Sequence, residues 1–509
     1  MKITLIISNN TFYRNYINRF VIDELKKISN LKIISSNNVI DNKKKIDFIC
    51  EENITNIKLH KIIAGIRMFA NIEKSKSFKY RIQRRYQPKT IKNLTFRSIA
   101  KYFKIWIYYF LFKIFSFNKF ISILTENFLR LFLKINYSFL KTIKMLDSDI
   151  VLMPTNGFNS FELDAECTLN KFGINYISLV DNWDNLSSKT ILLYKANHYG
   201  VWGEQSRIHA KNIQNIDYKK TSSIGTPRFE FYRNCKVKKL FDFKYILFVG
   251  TTVQFDEFSI LKQLNNILIE NNIDIKIIYR PHPWRESTNF SDLTSLNKVI
   301  LDPQISEQYT SKSSSDVLQP ELDLYASIIS GSEFVIGGMT TMLIEAYILK
   351  RHFIALAHSE PGNKLGPKEM LNGYIHFAEV SSLKNITIIT DISELENIIV
   401  TKLKEKQNTN LSNAANQVAK QVTDDMRIED NKMYKNELDL MKGPNINVQP
   451  DNAPKTKTKT KNNNAKKIDN KLPKPPWNSD TNIDRINDIG PTVNPTYYPP
   501  TPPSIKTSK

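Results

Sequence analysis

Three cysteines in 509 residues, Cys50, Cys167 and Cys235, lie far apart and are odd in number. No disulfide framework and no CxxC metal or redox site is written in that spacing, and a reducing, cytosolic setting is expected. The N-terminal ten residues hold an apolar run of only about five, short of the roughly 7 to 15 of a secretory signal core, so secretion is not expected. No GxGxxG follows the first apolar stretch, which ends in Ser8-Asn9-Asn10, and no GxxxxGK[ST] loop occurs. Nicotinamide and flavin cofactors and P-loop chemistry therefore have no sequence support, and no cofactor is expected. The histidines His198, His209, His352, His358 and His376 lack metal-ligand spacing, so no metal is assigned.

Acidic residues are also scarce, and unevenly so. The net charge is +22, from 72 Lys+Arg against 50 Asp+Glu. Residues 74–144 carry 17 basic residues and one acid, Glu126, a balance of +16; residues 443–509 carry 11 basic and five acidic, a balance of +6. The remainder therefore sums to zero. Residues 443–509 also hold 12 of the 21 prolines, a Lys-Thr alternation and few aliphatics, so they are expected to be disordered, as a solvated tail or a docking peptide.

What is present between 96 and 139 is aromatic: 15 Phe, Tyr and Trp among lysines. Lys113 interrupts the run Ile105-Trp106-Ile107-Tyr108-Tyr109-Phe110-Leu111-Phe112 after eight residues, well below the ~20 of a membrane span. Arg130, Lys134, Lys141 and Lys144 fall on one face of a helical projection, with Phe128, Leu131, Phe132, Ile135 and Phe139 elsewhere, which predicts one amphipathic basic helix. An anionic membrane surface is the expected partner of residues 74–144. Packing on the protein body and RNA binding stand as alternatives, although no nucleic-acid motif accompanies the charge and no nucleic acid is expected.

The rest alternates short apolar strands with helices, twice over. Strands are predicted at 3–7, 150–153 and 174–180, then at 245–249, 274–279, 334–336 and 353–357. Helices are predicted from after the first strand to about Ile28, and at 160–172, 257–270 and 342–350. Residues 233–244 read as a linker. The fold class is thus α/β, two Rossmann-like domains facing a cleft. An N-terminal domain comprises 1–73 and 145–237, a basic aromatic helical insertion 74–144, a C-terminal domain 238–442 and a tail 443–509. Ligands are sought where the strands of such sheets end.

Arg280-Pro281-His282-Pro283-Trp284-Arg285 follows one strand, and its two prolines stiffen a loop that displays Arg280, His282 and Arg285 toward phosphate. Ser332-Glu333-Phe334-Val335-Ile336-Gly337-Gly338-Met339-Thr340-Thr341 runs a buried strand into a turn and a helix start. There Gly338 would let the backbone approach a ligand, Thr340 and Thr341 would add donors, and Glu345, one turn on, would face a ribose. An ordinary strand-turn-helix with a threonine cap is the competing reading. Val180-Asp181-Asn182-Trp183-Asp184-Asn185 with Lys189 offers two carboxylates, an aromatic, amides and a cation for a polyhydroxylated acceptor, or an Asn/Asp-rich turn. Asp181 is the expected general base and Asp184 its reserve. Asp147-Ser148-Asp149 reads as a helix end and strand start rather than as metal ligands.

Taken in order, Arg280-Pro281-His282-Pro283, Gly337-Gly338-Met339-Thr340-Thr341 and Glu345-Ala346 resemble the donor half of GT-B glycosyltransferases of bacterial surface and capsular polysaccharide synthesis, with the CDP-glycerol glycerophosphotransferase branch nearest. The resemblance covers 245–360 well and 147–230 loosely. Gly225-Thr226-Pro227-Arg228 resembles the segment closing the first half, which would bring Arg228 to the acceptor or a phosphate. The resemblance implies donor binding by Arg280, His282, Arg285, Gly338, Thr340, Thr341 and Glu345, and acceptor binding by Asn182, Trp183, Asn185, Lys189 and Arg228. It also implies catalysis by Asp181, Asp184 and His282. Where the family often has Ser-Ser, this chain has Thr340-Thr341. The expected function is glycosyl or glycerophosphoryl transfer from a nucleotide-activated donor to a glycan or lipid-linked acceptor, by an enzyme held peripherally at the cytoplasmic membrane face. A nucleotide-sugar epimerase of the same fold, or a non-catalytic membrane or RNA binder, is the alternative.

Overall fold

The computed structural model describes residues 1–36, 39, 49–51, 55–86, 96–189, 191–234, 236–251, 255–282, 290–305 and 322–408. The tail at 443–509, the end of the C-terminal domain beyond 408, Cys235 and Arg285 lie outside them, and Cys167 is a buried free thiol. Two parallel sheets organise the chain. The first is built from β1 (Lys2–Ile7), β2 (Asn30–Ser36), β3 (Ile49–Glu51), β4 (Ile150–Thr155), β5 (Tyr176–Val180), β6 (His198–Val201) and β7 (Thr221–Ser223), in the order β3-β2-β1-β4-β5-β6-β7. The second contains β8 (Tyr245–Val249), β9 (Lys276–Arg280), β10 (Val299–Leu301), β11 (Val335–Gly338), β12 (Phe353–Leu356) and β13 (Ile386–Ile389), ordered β10-β9-β8-β11-β12-β13. Both sheets reverse direction of winding once, between β1 and β4 and between β8 and β11. This is the two-sheet α/β architecture read from the sequence.

Strands buried on both faces need apolar residues throughout. β8, Tyr-Ile-Leu-Phe-Val, is buried at all five positions, and its alternate residues feed two separate layers. Ile246 and Phe248 pack with Ile260, Leu264 and Leu268, while Leu247 and Val249 pack with Met339, Leu343 and Ala346.

The helices are α1 (Asn10–Tyr16), α2 (Arg19–Ile28), α3 (Ile57–Ala70), α4 (Lys76–Tyr86), α5 (Phe96–Phe115), α6 (Lys119–Arg130), α7 (Tyr137–Leu146) and α8 (Ser160–Lys171) in the first half. α9 (Glu204–Asn212), α10 (Pro227–Asn234), α11 (Glu257–Glu270), α12 (Leu322–Gly331), α13 (Met342–Ile348), α14 (Pro367–Gly373) and α15 (Leu395–Asn408) follow. Three expectations change. The run after β1 is two helices, because the Asn18 side chain accepts from the Phe20 and Val21 amides and starts a new one. The single basic helix is also two: α6 ends at Arg130 and Asn136 caps α7 by accepting from Phe139. Arg130, Lys134, Lys141 and Lys144 therefore share no helical face. Third, α10 runs to Asn234, so the linker starts later than 233. Asp147 and Asp149 do sit at a helix end and strand start, where they clasp Lys2.

The halves are joined by α4. Tyr80 Oη donates to the Leu365 carbonyl at 2.8 Å, Arg84 to Tyr374 at 3.1 Å, and the Ile375 amide donates to Ser77 Oγ at 2.9 Å.

Candidate functional site

Sequence places Arg280 at the last position of β9, so its Cα is fixed by the sheet. Its side chain is 5% exposed. One Nη donates to Asp302 and, at 3.2 Å, to Gln304, and the guanidinium lies 4.3 Å over the Tyr325 ring. Burial disfavours the charge, but Tyr325 and Asp302 override it and hold Arg280 above its ordinary pKa. Pro281 and half-buried His282 then cross the end of β8, where a Cβ on Gly250 would lie 2.7 Å from the His282 nitrogen and 3.0 Å from Pro281 Cα. Only a glycine admits that crossing without displacing backbone.

Gly338 does a similar task rather than the one expected. A Cβ there would meet Thr251 at 2.7 Å and Phe255 at 3.0 Å, so its missing side chain makes room for the loop after β8, not for a ligand. Thr340 and Thr341 are half-buried in the turn before α13, and the Thr341 hydroxyl does not cap that helix. Glu345 is buried at 3% exposure and differs from the ribose acceptor expected. One oxygen faces Arg228 at 3.3 Å and the other accepts from Tyr232 Oη at 2.7 Å. Both partners come from α10, whose first residue is the Pro that precedes Arg228.

Asp181 stands one residue beyond β5, 8% exposed. Its Oδ1 accepts from Asn15 Nδ2 at 3.1 Å and its carbonyl from Trp202 Nε1 at 2.8 Å. Burial raises its pKa, with Arg228, Asn15 and Arg14 pulling the other way. Arg228 is 9% exposed and lies 5.4 Å over Trp202. Burial opposes its charge, and Glu345, then Tyr232 and Asp181, hold it above the ordinary value. Arg14 lies 5.4 Å over the other side of the system, at Tyr325. The Tyr325 phenol is held below its usual pKa: burial works against this, and Arg280 and Arg14 prevail. The structure thus joins Asp181, Arg228, Glu345 and Arg280 in one buried polar cluster between the sheets. Within it, Nε and Nη2 of Arg228 and Nη2 of Arg280 are buried and have no hydrogen-bond partner among the described residues.

The remainder of the 181–189 segment turns away from that cluster. Trp183 is 8% exposed and packs edge-on against His376 and Phe377 of the second half, at 4.9 and 5.4 Å. Asn185 to Lys189 form a single π-helical turn. Asp184 faces Lys189 at 3.2 Å. Burial raises its carboxyl, but Lys189, followed by His376, outweighs this and keeps it below the ordinary range. Asn185 donates to the Thr155 carbonyl at 3.4 Å, and Asn182 Oδ1 is buried without a partner among the described residues. Trp183, Asp184, Asn185 and Lys189 are therefore interface-packing groups here, not an open acceptor surface.

Sequence reasoning missed Arg14, Asn15, Tyr232, Asp302 and Tyr325. The legible signal for the first two was position alone, since they follow β1 at the reversal point of the sheet. It also missed Glu162. This fully buried carboxylate accepts from Ser8 Oγ at 2.6 Å, Thr155 Oγ1 at 2.9 Å and the Asn156 amide at 3.0 Å, tying the ends of β1 and β4 together. Burial raises its pKa to about 7, with the three donors opposing.

Neither a family model nor a curated protein matches the sequence. Among solved structures, the chain is similar to a putative UDP-N-acetylglucosamine 2-epimerase from Listeria monocytogenes, at 9% identity over 80% of this chain and 88% of that one, TM-score 0.48. It is similar to the wall teichoic acid polymerase TagF at 12% identity, 85% and 90% coverage and TM-score 0.35. A third is the lipopolysaccharide outer core galactosyltransferase WaaB, at 12% identity, 79% and 95% coverage and TM-score 0.34.

Proposed function

We propose that the cluster between the sheets binds the phosphates of a nucleotide-activated donor and that the protein transfers the donor's glycosyl or glycerophosphoryl group to an acceptor hydroxyl. One observation carries this reading: two buried guanidinium groups, Arg228 from the first half and Arg280 from the second, retain N–H donors with no acceptor in the protein. A buried unmet donor costs about 1 to 3 kcal/mol, and a phosphate oxygen supplies the missing acceptors in the fork geometry guanidinium favours. Asp181, whose burial raises its pKa, is the base that takes the acceptor proton. The acceptor oxygen bonds to the transferred carbon or phosphorus as the bond to the leaving nucleotide phosphate breaks. Arg228, Arg280 and His282 bear the charge that develops there.

A thermal-shift series with CMP, CDP, UDP and GDP tests the reading. At 100-fold excess over Kd the matching nucleotide stabilises the fold by about 2.7 kcal/mol, a clear rise in Tm. Arg280→Lys keeps charge but loses the fork, and is expected to weaken that nucleotide about tenfold or more. Failure of all four nucleotides to raise Tm overturns the reading. With a binding nucleotide in hand, product analysis separates transfer from epimerisation, which releases an altered sugar without an acceptor.

A further inference from the structure

α5 and α6 meet at Ser116 to Asn118 and lie against the body by one side only. That side is well made. Phe112, 6% exposed, fills the space over Gly65 of α3, where any Cβ would strike its ring, and it packs on Phe69. Glu126 is held between Arg67 at 2.6 Å and Arg130 at 2.7 Å, the latter also donating to the Leu193 carbonyl. The hairpin is therefore a fixed part of the structure, not a loosely placed arm.

Its other side is apolar and bare. Phe110 is 62% exposed, Phe117 87%, Phe120 67%, Leu124 53%, Phe128 59% and Leu131 79%. A soluble protein rarely leaves so large a contiguous patch of big apolar side chains to water. Around it, Lys104, Lys113, Lys119, Lys134, Lys141 and Lys144 are all exposed, while the sole acid between 96 and 146, Glu126, is buried and neutralised by two arginines. A protein partner's interface would ordinarily be met by charges of both signs at its rim. This rim is wholly cationic around a wholly apolar centre.

The lengths fix the depth. Among the described residues no single helix is long and apolar enough to cross a membrane; Phe103–Phe115 and Lys119–Arg130 pass that test only as a pair, bent by 114°. At 1.5 Å per residue the arms are about 20 and 18 Å long, which at this bend reaches into one leaflet of a ~30 Å hydrocarbon core and not through it. We propose that the α5–α6 hairpin inserts its Phe117 tip and apolar face into one leaflet of an anionic bilayer, with the surrounding lysines on lipid headgroups. This differs from attachment by charge alone, which the sequence suggested, and it is independent of the chemistry in the cleft.

Flotation of the full chain with vesicles of phosphatidylglycerol and phosphatidylcholine in equal parts tests it. Binding is expected to persist in about 1 M salt, where the Debye length is about 3 Å and surface attraction is screened. Phe117→Ser with Phe120→Asp, both at exposed positions, is expected to weaken partitioning about tenfold or more while leaving Tm unchanged, since each removes a large apolar side chain from the lipid and nothing from the core. Trp106, in α5, should be quenched by brominated lipid in the parent chain and not in a Trp106→Phe variant. Release by high salt, unchanged binding of the double variant, or absence of Trp106 quenching would each overturn the proposal. A lipid-free dimer that the same double variant dissociates, without vesicle binding, would instead assign the patch to a second copy of the chain.

Discussion

Glu162 is surrounded by donors yet has no water, and these two facts pull its proton affinity in opposite directions. Burial dominates and raises its pKa from 4.5 to about 7. Between those values the native state binds more proton than the unfolded chain, so the stability Glu162 contributes is full below about pH 4.5 and falls as pH rises toward 7. The span of about 2.5 units corresponds to about 3 kcal/mol. Glu162→Gln keeps an acceptor for the Asn156 amide and removes the titration. Chemical denaturation of parent and variant should therefore show the variant gaining by about 3 kcal/mol relative to the parent between pH 4.5 and 7.5. A constant difference across that range counts against the assignment. The neighbouring choice of Asp181 as base was readable from a strand end followed by an acid. What held it, Asn15 and Arg228, was not, because those partners come from 166 and 47 residues away and only the sheet order brings them together.

At the level of elements, long apolar strands and the helix at α11 were legible because they bury both faces or one clean face. β3, β7 and β10 are three residues each and leave no periodic pattern to read. The two broken helices were misread for one reason: Asn18 and Asn136 stop the backbone ladder by capping a new helix, and a hydrophobic projection does not register an asparagine. The glycines were misjudged in the opposite sense. Gly337 and Gly338 looked like ligand-facing turn residues, while Gly250 passed without notice, though it alone lets the Pro281–His282 backbone cross the end of β8. Gly250→Ala should cost about 1 to 3 kcal/mol by forcing that crossing outward. Because His282 moves with it, the same variant is expected to reduce the nucleotide-induced rise in Tm. A variant that loses stability but keeps the full ligand shift would separate the crossing from the phosphate site.

Across the whole molecule, the two sheets are held by opposite edges of one interface. Arg228 and Tyr232 meet Glu345 on one side; α4, Trp183 and Ser187 meet 365–377 on the other, where Ser187 Oγ lies 3.2 Å from His376 Nδ1. Tyr80 anchors the second side, 4% exposed, with its ring 4.8 Å from that of Tyr374. Interlocking of this kind predicts a single calorimetric transition for both halves. Tyr80→Ala should cost about 3 kcal/mol or more and split the endotherm in two. The +22 charge, in turn, describes regions outside the two sheets rather than their cleft. In the described part of the chain it lies on the surface of the helical layer, around the bare hairpin.

α4 is also the last helix before α5, separated from it by residues 87–95. The helix that sets the spacing of the two sheets is thus the near end of the segment that carries the exposed hairpin. A load applied to the hairpin has α4 as its first fixed point. Anchoring and cleft width are, in this chain, two ends of one lever.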